Sequence, residues 1–154
     1  GSKWFTKMWP KEYFDELIDK LIKTEKVKVI LVGGKEDKEI KLKNDYKTID
    51  LRGETSLLDL AEILKRSDVI VTNDSSPIHI GSAFEKPYII AIFGPTIKEF
   101  GFTPSNEKYE ILEIDGLECR PCGIHGHKKC PLGHFKCMKE ILPEWVYDSV
   151  INKL

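Results

Sequence analysis

The sequence predicts an α/β fold: a Rossmann-like parallel sheet with helices on both faces. Three observations carry this. Hydrophobic residues alternate between helical spacing and short β-branched runs along the whole chain. The runs are nearly continuous in apolar residues, as parallel strands covered on both faces require. The length of 154 residues is close to the ~150 of one domain, enough for a single sheet with its covering helices.

The elements follow in order. Tyr13/Phe14, Leu17/Ile18 and Leu21/Ile22 form one apolar stripe at helical spacing, opened by Pro10, a residue suited to a first turn. Val27 to Val32 then reads as a buried parallel strand ended by Gly33-Gly34, and Thr48 to Leu51 as a weaker one. Ser56 with Asp59 forms a capping box ahead of Leu57, Leu60, Ala61 and Leu64, which repeat at helical spacing. A strand over Val69 to Thr72 leads to Ser76-Pro77, an N-cap followed by proline at the first helical position, with the helix running to about Phe84. Lys86-Pro87 stops it, because proline disfavours helical backbone in the residue before it. Strands over Tyr88 to Ile92 and Tyr109 to Ile114 follow, with Phe93-Gly94-Pro95-Thr96 turning out of the first. Pro143 opens a terminal helix in which Val146, Val150, Ile151 and Leu154 share a face.

Composition excludes several classes. Lys plus Arg number 24 against 25 Asp plus Glu, a net charge of -1, with 41% hydrophobic and 32% charged residues. That balance argues against disorder and against bulk electrostatic binding of nucleic acid. No apolar run approaches the ~18 residues of a spanning helix, and no secretory signal opens the sequence, so a cytoplasmic, reducing setting is expected.

The richest stretch is Val69 to His79, a buried strand that ends in Asn73-Asp74-Ser75-Ser76-Pro77 and enters a helix. Open α/β sheets bind ligands at the carboxyl ends of their strands, where helix N-termini favour anions. Ser75 and Ser76 add hydroxyl donors, and Asp74 can accept from a sugar hydroxyl. The alternative is that these residues only cap the helix and that His79 is a packed histidine. A Ser-His-Asp hydrolase is disfavoured, since triads assemble from separate parts of a fold and no glycines flank either serine. Gly1-Ser2 and Lys7 precede the first helix as a phosphate-holding loop would, although Gly1-Ser2 also reads as an expression scar and Lys7 as a solvated cation. Trp4 and Trp9 read as packing residues.

Cys119, Cys122, Cys130 and Cys137 cluster late in the sequence with His125, His127 and His134 among them. Thiolates and imidazoles at this spacing suit a structural zinc, though not with the paired gaps of a zinc ribbon. Structural thiols or disulfides, and a Cys-Arg-Pro-Cys redox pair, stay open beside it.

Thr6-Lys7-x-Trp9-Pro10, Gly53-Glu54-Thr55-Ser56-Leu57, Asn73-Asp74-Ser75-x-Pro77-x-His79 and Phe93-Gly94-Pro95-Thr96, in this order, resemble the C-terminal half of glycosyltransferase family 9, which contains the ADP-heptose:lipopolysaccharide heptosyltransferases. The Cys-x-Pro-Cys and the later Cys-Met resemble a segment of some members. The resemblance implies a GT-B enzyme of two Rossmann-like halves. Residues 1–154 would be a single nucleotide-sugar-binding domain carrying a cysteine-rich segment at 116–138, with the N-terminal acceptor domain absent. It implies inverting transfer from ADP-heptose or a similar donor to a lipopolysaccharide or other glycan or lipid-linked acceptor, with no metal needed for catalysis, in the cytoplasm or at the inner face of the cytoplasmic membrane. By position Ser2, Thr6 and Lys7 would meet the diphosphate, and Asp74, Ser75, Ser76, Pro77 and His79 the diphosphate and sugar. The catalytic base would lie on the acceptor domain, leaving this chain an inactive half. Two departures stand out: Ser76 occupies a usual glycine position, and the family's central strand before Gly1-Ser2 is not in the sequence. The rival class is a non-catalytic binding module built around a Cys/His metal knuckle.

Overall fold

The computed structural model describes all 154 residues. Eleven elements succeed one another: α1 (Lys11–Lys23), β1 (Ile30–Leu31), α2 (Lys35–Lys38), β2 (Ile49–Asp50), α3 (Leu57–Arg66), β3 (Val69–Asn73), α4 (Pro77–Ser82), β4 (Tyr88–Ile92), β5 (Tyr109–Leu112), α5 (Lys136–Lys139) and α6 (Pro143–Ile151). All strand pairings are parallel. β3, β4 and β5 form one sheet in that order, and β1 pairs with β2 in a second.

β4 is the central strand, and its alternation explains the layering. Ile90 and Ile92 face a core completed by Leu17 and Leu21 of α1, Met138 of α5, and Val146 and Val150 of α6. Ile89, Ala91 and the following Phe93 face the other way, onto Leu64 of α3, Ile70 of β3 and Ile78 of α4. All five of these β4-side residues are fully buried, and each large one contributes roughly 1.5–3 kcal/mol of burial. Helices therefore cover both faces of the sheet, as the sequence patterning predicts.

Several helix starts obey their sequence signals. The Ser56 hydroxyl accepts from the Asp59 amide at 3.2 Å, and the Asp59 carboxylate accepts from the Ser56 amide at 2.9 Å, closing the capping box of α3. Trp9 packs as expected: it is 2% exposed, and its indole N–H donates to the Ile141 carbonyl at 2.8 Å.

Three expectations are corrected. The strand expected over Val27 to Val32 is regular only at Ile30–Leu31, and Ile30 is 41% exposed. It has a neighbour on one side only, where amides of Ile49, Leu51 and Gly53 donate to carbonyls of Val29, Leu31 and Gly33. Its other edge faces a cleft. Ser76 does not cap α4: it already has helical backbone, and its side chain makes no capping bond. In α6 only Val146 and Val150 of the expected face are buried, because the helix ends at Ile151 and leaves Ile151 and Leu154 exposed.

Candidate functional site

A cleft of about 930 Å³ separates the two sheets. Its interior is apolar, lined by Ile30 and Leu31 of β1 and by Ile70 and Val71 of β3. Its mouth is polar and lies at the carboxyl ends of these strands, where Lys7, Asp74, Ser75 and Ser76 gather opposite Ser2 and Gly33. This is the edge at which parallel α/β sheets hold ligands.

Three chain segments build the mouth. The loop before α1 is tied to the end of β3 by the Trp9 amide, which donates to Asn73 Oδ1 at 3.0 Å. That bond brings Lys7 to Asp74, with Nζ 2.6 Å from Oδ2, and the two side chains are only 10% and 5% exposed. The second segment is the turn after β4. Fully buried Thr96 donates its hydroxyl to the same Asp74 oxygen at 2.6 Å. Asp74 itself extends the ladder, its amide donating to the Ile92 carbonyl at 3.1 Å. The ring of Phe102 stands 5.4 Å from the Lys7 ammonium, within reach of a cation–π attraction.

The third segment is the cysteine-rich one. The His127 amide donates to Thr6 Oγ1 at 2.7 Å, while the Thr6 amide and hydroxyl each donate back to the His127 carbonyl at 3.1 Å. The Cys122 amide donates to the Pro95 carbonyl at 2.8 Å. Gly126 sits against this junction with φ +81°, where an added Cβ would lie 2.9 Å from Thr6 Oγ1.

The expected site residues therefore divide. Ser2, Lys7, Asp74, Ser75, Ser76 and Pro77 line the cleft. Thr6 is 2% exposed and its hydroxyl is spent on His127, and His79 is exposed on α4 and lines no part of the cleft. Ser76 has φ -51°, a conformation any residue adopts. Ser75 turns its hydroxyl back to the Asn73 carbonyl at 3.2 Å. Arg52 also lines the cleft but is committed to Asp50 and to the carbonyls of Asp37 and Ile40. Its guanidinium holds the Asp50 carboxyl below the usual range.

The four cysteines are unbridged and near enough to act on one another. Burial first, and then the neighbouring thiols, push Cys122 upward and Cys137 to about 11. Cys119 Sγ faces His134 Nε2 at 3.9 Å, and the Cys122 thiol turns to the Cys119 carbonyl at 3.1 Å. In these orientations no three His, Cys, Asp or Glu side chains form a group that could hold a metal ion, so the four-thiol ligand set expected from spacing is not assembled.

Asn73, Thr96 and Arg120 were not singled out by the sequence as site residues. Asn73 and Thr96 do lie in stretches the sequence marks, at the end of the Val69 strand and at the close of the Phe93 to Thr96 turn, but the Asn73 side-chain partner is 64 residues away; Arg120 carries no signal, its partners lying up to 26 residues away.

Comparison with known proteins fits this architecture. The family model described as glycosyltransferase family 9 (heptosyltransferase) matches residues 1–135. The chain is 32% identical over 155 residues to lipooligosaccharide heptosyltransferase 2 of Campylobacter jejuni and 28% identical over 154 residues to lipopolysaccharide heptosyltransferase 2 of Escherichia coli, covering 96% and 94% of this chain. It spans just under half of these relatives, 47% and 42% of their lengths. Among solved structures, E. coli ADP-heptose lps heptosyltransferase II superposes with a TM-score of 0.76 at 23% identity, over 99% of this chain and 44% of that one. A family 9 glycosyl transferase from Veillonella parvula gives 0.75 at 26%, over 99% and 43%. With two solved glycosyltransferase structures superposing on nearly all of the chain and the family model matching residues 1–135, the chain belongs to glycosyltransferase family 9.

Proposed function

We propose that this chain is the donor-binding half of an inverting heptosyltransferase, taking ADP-heptose or a similar nucleotide sugar for transfer to a lipopolysaccharide or other glycan acceptor. The observation that carries the reading is the buried Lys7–Asp74 pair at the polar mouth of the cleft. An ammonium has three N–H donors. Asp74 pairs with this ammonium from one side, and in this reading the diphosphate meets it from the cleft that Lys7 lines. Negative charge grows on that diphosphate as the glycosidic bond breaks, and a cation already in place stabilises it without reorganisation. Asp74 Oδ2 holds both Lys7 and Thr96. Oδ1 has no protein partner and, since no buried polar side-chain atom lacks one, is reached by solvent, which suits it to accept from a sugar hydroxyl. Ser76 and Ser2 supply further hydroxyl donors along the walls, whereas the Ser75 hydroxyl, given to the Asn73 carbonyl, is left to accept.

Inversion needs a base to deprotonate the acceptor hydroxyl. In this reading the acceptor half supplies that base, so donor binding and turnover separate, and this chain alone binds donor without transferring it. No helix is long and apolar enough to cross a membrane, and we place the reaction in the cytoplasm or at the inner face of the cytoplasmic membrane, where soluble nucleotide sugars meet lipid-linked acceptors.

Calorimetry of the chain with ADP, ADP-heptose, UDP and GDP tests the proposal. Saturable binding of the adenine ligands in preference to the others is expected. Absence of heat and of a melting shift with every nucleotide at about millimolar concentration would refute it, because a ligand selective for the native state must raise its stability. Transfer by the chain alone, at the rate of a two-domain enzyme, would refute the placement of the base.

A further inference from the structure

Among the contacts by which the cysteine-rich segment reaches the cleft mouth is one buried arginine. The Arg120 side chain is 6% exposed, and all three guanidinium nitrogens are committed. Nε donates to the Gly94 carbonyl at 2.6 Å, Nη1 to the Ile114 carbonyl at 2.7 Å, and Nη2 to the Thr96 carbonyl at 2.7 Å and the Glu113 carboxylate at 2.6 Å. Two acceptors belong to the turn after β4, and two follow β5. The planar fork thus staples that turn to the neighbouring strand end, a task a lysine's point charge cannot reproduce.

What the stapled turn carries decides the consequence. Thr96 sits between its own carbonyl, held by Arg120, and its own hydroxyl, given to Asp74 Oδ2 at 2.6 Å. Asp74 in turn holds Lys7. Seven residues beyond Arg120, His127 grips Thr6, the neighbour of Lys7. One segment therefore fixes the surroundings of both members of the ion pair.

We propose that Arg120 is a positioning residue of the donor site: it sets Thr96, and Thr96 keeps the Asp74 carboxylate turned so that one oxygen holds Lys7 while the other is free for the ligand. The inference rests on the donor-binding reading above. Without the Thr96 bond the carboxylate is free to rotate and engage Lys7 through both oxygens. The ammonium then has fewer N–H donors for phosphate, and the sugar loses its acceptor. The loss falls on the diphosphate and sugar contacts and spares those to adenosine. An arginine that merely braced the fold would affect both kinds of ligand alike.

The test uses Arg120→Lys, Thr96→Val and the double variant in this chain, with ADP and adenosine affinities measured by calorimetry and folding checked by circular dichroism. Each single change should weaken ADP roughly ten-fold while adenosine moves less than about two-fold, and the double variant should be no weaker than Thr96→Val, since the two act in series. Thr96→Ser, which keeps the hydroxyl, should restore ADP binding to within about two-fold of the parent. If Arg120→Lys does not fold, Glu113→Ala replaces it, removing one of the four Arg120 partners, and should give a smaller loss that is again selective for ADP. Equal loss of ADP and adenosine, or losses that multiply in the double variant, overturns the role of Arg120 while leaving the donor reading intact. Failure of the parent chain to bind ADP overturns the donor reading itself, and the assigned role with it.

Discussion

Charge removal at the Lys7–Asp74 pair gives the sharpest test of how the site is built. The side chains are 10% and 5% exposed and 2.6 Å apart, so neither ion is well solvated. Replacing one partner leaves the other as an uncompensated buried charge, a defect that costs about 3–5 kcal/mol. An exposed pair of the same geometry would cost about 0–1 kcal/mol. Lys7→Met and Asp74→Asn should therefore each destabilise by about 3 kcal/mol, a large share of the ~5–15 kcal/mol that holds a domain folded. In Lys7→Met/Asp74→Asn neither charge remains, and the Thr96 hydroxyl can still donate to the amide oxygen of the asparagine. The double variant should fall short of the sum of the singles by about 2 kcal/mol.

Urea unfolding followed by circular dichroism and by tryptophan fluorescence, to which buried Trp9 contributes, measures all four proteins. With a slope near ~2 kcal/mol/M, each single change should lower the midpoint by about 1.5 M. Additivity of the two changes within about 0.5 kcal/mol would refute the pairing, and single losses under about 1 kcal/mol would show that water screens it. Ligand data complete the cycle: Lys7→Ala should weaken diphosphates more than nucleosides, and an equal loss for both would remove Lys7 from the phosphate contacts.

Further outcomes follow from the same geometry. The Cys137 thiol, pushed to about 11 by burial and its neighbours, contributes stability that is full below the unfolded thiol value near ~8.5 and is lost as pH rises through 11; Cys137→Ala should flatten that alkaline loss. With roughly one thiolate in a thousand at pH 8, Cys137 should also be the slowest of the four to alkylate in the native chain, and the structural zinc expected from cysteine spacing is tested on the same sample, since bound metal would protect several thiols until a chelator is added. Gly126→Ala should destabilise by about 1–3 kcal/mol and weaken ADP, because the new methyl meets positive φ and lies 2.9 Å from Thr6 Oγ1; an unchanged melting temperature would refute this. In hydrogen exchange, amides of the β1–β2 pair should open well before those of β3–β5, since Ile30 and Ile49 are 41% and 48% exposed while Ile89, Ile90 and Ile92 are fully buried; equal protection would show that the two sheets unfold as one unit.

Much of the fold was legible because its signals are local. Proline at a first turn, a serine three residues before an aspartate, and unbroken apolar runs between turn residues each act within one element, and α1, α3, β3 and β4 appear where these signals lie. The misreadings share a cause. Val27 to Val32 carries strand composition along its whole length, yet regular pairing needs neighbours, and β1 has one on a single side. Ser76 has the right residue type before a proline, but the turn had already become helical there. His79 matches the motif by position but is exposed on α4 and is not among the residues lining the cleft, since residue order along a helix does not say which face is wetted.

The site was legible in part for a related reason. Lys7 and Asp74 stand 67 positions apart, and each is visible because it sits in a loop at the end of a recognisable element. Their companions are hidden. Thr96 and Arg120 act by closing distances of 22 and 26 residues along the sequence, and no spacing rule connects them. The cysteine-rich segment illustrates the same limit: its thiols draw attention to metal chemistry, whereas the contacts that reach the mouth of the cleft are made by its arginine, its His127 backbone and one glycine. A loop of this kind, largely without helix or strand, can hold a guanidinium and a backbone amide in fixed places only because it is anchored at both ends to buried structure, at Arg120 against the turn after β4 and at Cys137 in the core with Val146 of α6.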